Sequence, residues 1–167
     1  MEIRRLAPND APAYRVLRLR ALREHPEAFT SSFEESEKQP PQADFDRLAN
    51  PSQKFWGAFE DGCLCGMVGL DIETRAKARH KATLVGMYVE SEVAGKGIGR
   101  ALVDVAIADA RASGLELLVL TVTEGNSSAA QLYERCGFKS FGIEPRAIKV
   151  AGRAYSKNHM VLHLSLS

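Results

Sequence analysis

Between a strand-like run, Ala82-Thr83-Leu84-Val85-Gly86-Met87-Tyr88-Val89, and an amphipathic run carrying Ile98, Leu102, Val105 and Ala106 on one face, the chain places Gly95-Lys96-Gly97-Ile98-Gly99. Three glycines in five residues let a backbone turn sharply and approach a ligand without Cβ interference. Successive free amides at a helix start form an anion cradle that the helix dipole reinforces. The ligand part such a cradle suits is a phosphate or pyrophosphate, and Lys96 and Arg100 add positive charge nearby. A tight turn that holds nothing would also use glycines, so spacing has to discriminate. A P-loop requires Gly-Lys followed by Ser or Thr, whereas Lys96 is followed by Gly97. The dinucleotide fingerprint Gly-x-Gly-x-x-Gly fails as well, because Gly97 and Gly99 are one residue too close.

The rest of the chain reads as alternating elements of one α/β domain over residues 1–167. Ile3 to Leu6 suits a short strand, and Asn9 or Asp10 caps a helix with Tyr14, Leu17, Ala21 and Leu22 at helical spacing, ending near Pro26. Phe29 to Lys38 is polar. Phe45, Leu48 and Ala49 share the face of a second helix, which Asn50-Pro51 stops. A hairpin follows, Phe55 to Phe59 and Cys63 to Asp71 around Asp61-Gly62. The helix after the glycine cluster closes at Gly114. Leu115 to Thr123 reads as a strand buried on both faces. Asn126 or Ser127 opens a helix that Gly137 closes, and Ala147–Val150 with His159–Leu166 form a last hairpin near Ala151-Gly152-Arg153.

Charge narrows the partners. The 22 Lys and Arg against 21 Asp and Glu leave a net charge of +1, which argues against nucleic-acid binding through a basic face. No apolar run approaches the ~20 residues of a membrane span, and the Met1 segment lacks the apolar core of a secretory signal. Three cysteines cannot all pair. Cys63 and Cys65, two apart in a strand, leave the same face, and no further ligands at zinc spacing stand near them. The expectation is reduced thiols, no metal and a cytoplasmic location.

Tyr88-Val89, four residues, then Ala94-Gly95-Lys96-Gly97-Ile98-Gly99-Arg100-Ala101-Leu102 resembles the acetyl-CoA-binding motif of the GNAT superfamily of N-acetyltransferases. Asn126-Ser127-Ser128-Ala129-Ala130-Gln131-Leu132-Tyr133-Glu134-Arg135-Cys136-Gly137-Phe138 resembles the second signature of that family, at the usual distance. The resemblance implies a single-domain GNAT fold. Its central mixed, mostly antiparallel sheet is flanked by helices and splayed in the middle to admit the pantetheine arm. Ala94 departs from the pattern, which usually has Gln or Arg there, so one polar contact to the pyrophosphate is in doubt while the backbone cradle is kept.

Carried over residue by residue, the amides of Gly95, Lys96, Gly97, Ile98, Gly99 and Arg100 hold the pyrophosphate of acetyl-CoA. Met87 and Val89, with Tyr88 between them, pair through their backbone with the pantetheine amides. Asn126 and Ala129 contact the cofactor, and Tyr133 protonates the departing thiolate. Asn126 equally suits a helix cap, and Tyr133 an aromatic on the inner face of its helix. The implied activity is transfer of an acetyl group to a primary amine of a small molecule. Transfer to a protein amino terminus or lysine is a second reading, and a non-catalytic acyl-CoA sensor a third. Dimerisation through the C-terminal edge of the sheet is common in relatives, and the sequence leaves a homodimer open.

Aminolysis of a thioester needs a neutral amine, yet an alkylamine of pKa near 10.4 is neutral in only about one molecule per thousand at pH 7.4. A base or a desolvated site must supply the difference. The two slots where relatives carry a glutamate hold Thr83 and Thr121 here. The base is therefore left among Glu73, His80, Glu124 and the Glu34-Glu35 pair, or a water chain reached through Thr83. Glu73 and His80 join Tyr133 in the expected catalytic set. Phe33, Glu34, Glu35, Thr83 and Thr121 form the expected acceptor site. Acidic residues there would favour a cationic amine. Phe29, Tyr155 and His159 are further candidates for an aromatic wall.

Overall fold

The computed structural model describes residues 1–165. Seven strands form one sheet in the order β1-β2-β3-β4-β5-β7-β6. They are β1 (Glu2–Arg5), β2 (Gln53–Glu60), β3 (Cys63–Ile72), β4 (Lys81–Val89), β5 (Leu117–Thr123), β6 (Lys139–Val150) and β7 (Arg153–His163). Helices α1 (Ala11–Glu24), α2 (Phe33–Glu37), α3 (Pro41–Ala49), α4 (Ile98–Ala112) and α5 (Ser127–Arg135) flank it. Every strand pair is antiparallel except β4–β5.

Side-chain alternation assigns the two faces of the sheet to different helices. Trp56, Val68, Leu70, Ala82 and Leu84 share one core with Ile98, Leu102, Val103 and Ala106 of α4 and Tyr133 of α5. Phe55, Met67 and Tyr88 point the other way, into a smaller core with Tyr14, Leu17 and Ala21 of α1 and Leu48 of α3. The sheet thus has an α4 face and an α1 face. None of the helices described is long and apolar enough to cross a membrane.

The parallel pair is short. Lys81, Ala82 and Thr83 pair with Leu117, Leu118 and Val119, and pairing stops there. The residues of β4 beyond Thr83 turn away from β5, with Gly86 at φ +62° in the strand itself. This splay opens the middle of the sheet, and it accounts for one departure from the sequence expectation. Leu115–Thr123 is not buried on both faces, because Thr121 is exposed and Val119 half-buried toward the opening.

Other departures have local causes. Phe45, expected on the inner face of α3, is 42% exposed, because Asp44 turns inward and accepts from Arg15 Nη1 at 2.8 Å. The polar stretch after Phe29 contains α2, capped by Ser32, whose Oγ accepts from the Glu35 amide at 3.1 Å. Cys63 is exposed and Cys65 buried, since a bulge at Ala58/Phe59 breaks the simple alternation. The last hairpin starts earlier than its apolar residues suggest, at Lys139. Its second strand ends at His163, and Leu166 lies outside the described residues.

Candidate functional site

The splay leads into a cavity of about 830 Å³ that runs through the sheet from the α4 face to the α1 face. At one end lies the glycine cluster. Gly97 caps α4 at φ +78° and Gly95 stands at φ +82°, both left-handed and both with open space where a Cβ would project. Any other residue strains the backbone there by about 1–2 kcal/mol. The first α4 hydrogen bond runs from the Ala101 amide to the Gly97 carbonyl at 3.1 Å. The amides of Ile98, Gly99 and Arg100 therefore have no partner inside the helix and stay available to an anion. Gly99 has a different role, since a Cβ there would stand 3.0 Å from Met87 Cε, so it allows α4 to sit tightly on β4. Arg100 lines the cavity and is paired with Asp104 at 3.1 Å. Ala94 lines it too, and Lys96 is exposed beside it.

The turn before the cradle is tied to α1. Arg20 hydrogen-bonds Glu92 Oε1 at 2.5 Å and also contacts Glu90, while its Nε donates to Glu24 at 2.8 Å. The Arg20 guanidinium holds the Glu92 carboxyl down at about 2. Glu24 accepts from the Tyr88 hydroxyl at 2.6 Å, and burial together with that carboxylate holds the Tyr88 phenol far above its ordinary range. Tyr88 is thus engaged with Glu24, while Met87 and Val89 beside it line the cavity.

Across the splay, Asn126 caps α5, its Oδ1 accepting from the Ala129 amide at 3.3 Å, and both residues line the cavity. Tyr133, 7% exposed, lies edge-on against Phe138 with ring centroids 5.9 Å apart. Among the described residues its hydroxyl has no hydrogen-bond partner, and the side chain forms part of the cavity wall. Burial raises its phenol well above the usual tyrosine range. The phenol therefore stays protonated at neutral pH.

The α1 face supplies the other end. Thr83 and Thr121 line the cavity, as does Phe29. Glu34 and Glu35 are exposed on α2 outside it, and Phe33 lies under the Arg23 guanidinium, 4.6 Å from the ring centroid. Glu73, His80 and Glu124 are exposed and also outside the cavity wall. Tyr155 stacks under Arg153, and His159 pairs with Glu144 at 2.8 Å, so neither forms an aromatic wall there.

Several residues on this face carry no signal in the sequence. Gln53, Asp71 and Thr83 are consecutive cross-strand partners on β2, β3 and β4. Gln53 and Thr83 both line the cavity, while Asp71, their partner in the register, is exposed and outside its wall. Partial burial, with Glu73 nearby, raises the Asp71 carboxyl above the usual aspartate range. Arg18 of α1, His25 just after it, Arg47 of α3 and Lys157 of β7 also line the cavity. These side chains come from different elements, and no local spacing in the sequence joins them.

Comparison with known proteins bears on the same residues. The model of the "Acetyltransferase (GNAT) family" matches residues 19–138. The chain belongs to the GNAT family. It is 30% identical over 139 residues to a mycothiol acetyltransferase of Thermobispora bispora, covering 81% of this chain and 45% of that protein. It is 35% identical over 78 residues to an L-methionine sulfoximine/L-methionine sulfone acetyltransferase of Pseudomonas aeruginosa, covering 47% of this chain and 45% of that one. The chain thus spans about half the length of these curated relatives. Among solved structures, a GNAT-family acetyltransferase of Streptococcus pneumoniae superposes with a TM-score of 0.83 at 25% identity, over 97% of this chain and 98% of its own. A putative acetyltransferase of Salmonella typhimurium, solved with acetyl-CoA, gives 0.82 at 22% identity, over 100% and 95%, and supports the shared fold.

Proposed function

We propose that this GNAT chain is an acetyl-CoA-dependent N-acetyltransferase whose acceptor is the primary amine of a small molecule. One observation carries the reading. The glycine cradle, the Tyr133 side chain and the α1-face residues line a single cavity where β4 and β5 part. A pyrophosphate fits the Gly95–Arg100 amides, and the unpaired edge of β4 at Met87 and Val89 suits an extended chain with amide groups. Asn126 and Ala129 close the other wall. The acetyl thioester supplies an electrophilic carbonyl and a thiolate leaving group, and the residues of this chain handle the protons.

In this reading Thr83 and Thr121 border the acceptor amine, and Asp71 takes its proton. Glu73, beyond the cavity wall, acts through the field that keeps the Asp71 carboxyl raised. The neutral nitrogen forms the new C–N bond as the C–S bond breaks, and the Tyr133 hydroxyl gives its proton to the sulfur. Tyrosine near 10 and thiol near 8.5 make that transfer uphill by about 2 kcal/mol in water. Burial raises the Tyr133 phenol further, and the same apolar wall penalises the departing thiolate, so the transfer is coupled to C–S cleavage rather than following it. Asp71 passes that first proton to solvent, then takes the second proton that the nitrogen sheds as the amide forms and returns it through solvent to Tyr133, leaving amide, free thiol and one released proton.

The small-molecule acceptor is supported by the enclosure of the cavity among α1, α3 and residues 28–31. The mycothiol and methionine sulfoximine acetyltransferases among the relatives act, by name, on small molecules. A cytoplasmic location suits a consumer of acetyl-CoA. If the chain forms a homodimer, Phe141 and Ile143, exposed on the edge strand β6, are the surface a second copy would cover. The experiment is thiol release from acetyl-CoA across a panel of amines at several pH values. Turnover on a small amine supports the transferase. Turnover only on peptide amino termini or lysines would move the acceptor to protein, and acetyl-CoA binding without turnover on either would make the chain a sensor.

A further inference from the structure

The acceptor end of the cavity is cationic. Arg18 and Arg47 both line it, and among the described residues neither belongs to an ion pair. Arg18 Nη1 donates to Ser36 Oγ at 2.8 Å, and Arg47 Nη1 approaches the Tyr14 hydroxyl at 3.4 Å, so both known partners are neutral. The carboxylate of this neighbourhood, Asp44, is taken by Arg15 at 2.8 Å. Lys157, 6% exposed, lines the same cavity with its Nζ donating to the Thr30 hydroxyl at 3.1 Å. None of the described residues in the wall is Asp or Glu, and Asp71, the cross-strand partner of Thr83, is exposed outside it.

Burying cations beside neutral partners is unfavourable unless an anion completes the site. Burial, with the charge of Arg47 beside it, pushes the Arg18 guanidinium below its ordinary value against the smaller opposing pull of Tyr14 and Asp44. A guanidinium presents a planar fork of donors, which matches the two oxygens of a carboxylate.

We propose that the acceptor is an amine that also bears a carboxylate, an amino-acid-like zwitterion, with Arg18 and Arg47 holding the carboxylate while the amino group faces Thr83 and Asp71. The proposal rests on the acetyl-transfer reading and narrows its acceptor class. Arg18 and Arg47 are then specificity residues that discriminate acids from their neutral analogues.

The test uses the full chain with acetyl-CoA. Thiol release is compared for a panel of L-amino acids, their primary amides, n-butylamine and O-phosphoethanolamine, with rates expressed per neutral amine because amidation lowers the amine pKa. At least one acid should exceed its amide about tenfold or more in kcat/KM. Arg18→Gln and Arg47→Gln should each raise KM for that acid about tenfold while leaving the amide rate and acetyl-CoA affinity as in the parent. The two single variants guard against one of them failing to fold. Equal rates for acid and amide, or a preference that survives in both variants, would overturn the proposal, and a preference for O-phosphoethanolamine over every acid would overturn the carboxylate. Binding of N-acetyl amino acids and their amides to the CoA-saturated chain separates the two levels. Acids bound in preference to amides, with no amine acetylated, would overturn the transferase and leave the anion site standing. Absence of both binding and turnover for the acids would overturn the anion site.

Discussion

Replacing Tyr133 with phenylalanine isolates the proton that reaches the departing sulfur. The ring is 7% exposed and packs edge-on against Phe138, while its hydroxyl has no partner among the described residues. Phenylalanine therefore keeps the packing and leaves no orphaned hydrogen-bond group, so stability should change by less than about 1 kcal/mol. Acetyl-CoA affinity should also be unchanged, because the pyrophosphate cradle and β4 are untouched. Loss of a positioned general acid typically lowers a rate by about 10²–10⁴-fold. At about 1.36 kcal/mol per tenfold, that is an increase of roughly 3–5 kcal/mol in the barrier. Burial raises the Tyr133 phenol, so the donor stays protonated above the ordinary tyrosine value near 10. The parent rate should then climb with pH as the amine loses its proton, with no descending limb below that value. Thiol release followed by a chromogenic disulfide, beside calorimetric acetyl-CoA binding, measures both quantities. A kcat within about threefold of the parent at every pH would refute the role.

Other perturbations probe separate links. Asp71→Asn should lower kcat/KM about 10²-fold near neutrality and recover at high pH, where the acceptor is neutral unaided. Because the Asp71 carboxyl is raised, activity of the parent should fall with acidification at a higher pH than an ordinary aspartate gives, and a profile identical in the variant would remove Asp71 from the mechanism. Gly97→Val forces a β-branched residue to φ +78° at the cap of α4. Acetyl-CoA affinity should drop at least tenfold in a chain whose circular dichroism is unchanged, and normal affinity would place the pyrophosphate elsewhere. Phe138→Ala empties a fully buried site between α5 and the sheet and should lower the denaturant-derived stability by about 3–5 kcal/mol. A loss below about 1 kcal/mol would mean that the α5 packing relaxes to fill the space.

The cofactor half of the proposed site was legible because it is local. Gly95, Gly97 and Gly99 have a conformational reason to occur together, and Asn126 precedes its helix as a cap should. Apolar periodicity likewise gave α1, α4 and the β2–β3 hairpin to within a few residues. The proposed acceptor half was not legible, because Arg18, Arg47, Gln53 and Lys157 meet only through strand register and helix packing. Glu73 and His80 are exposed outside the cavity wall, as Asp71 is, but only Asp71 pairs across the strands with the cavity-lining Thr83. The splay itself leaves little trace in sequence, since Val119 and Thr121 look like members of one apolar run until the pairing with β4 ends at Thr83.

Both halves of the proposed site act only if the cradle at Gly95–Arg100 holds a pyrophosphate. Calorimetric titration of the chain with acetyl-CoA tests that directly. The account predicts one site per chain, with affinity lost in Gly97→Val and kept in Tyr133→Phe. Absence of binding by the folded parent chain would contradict it.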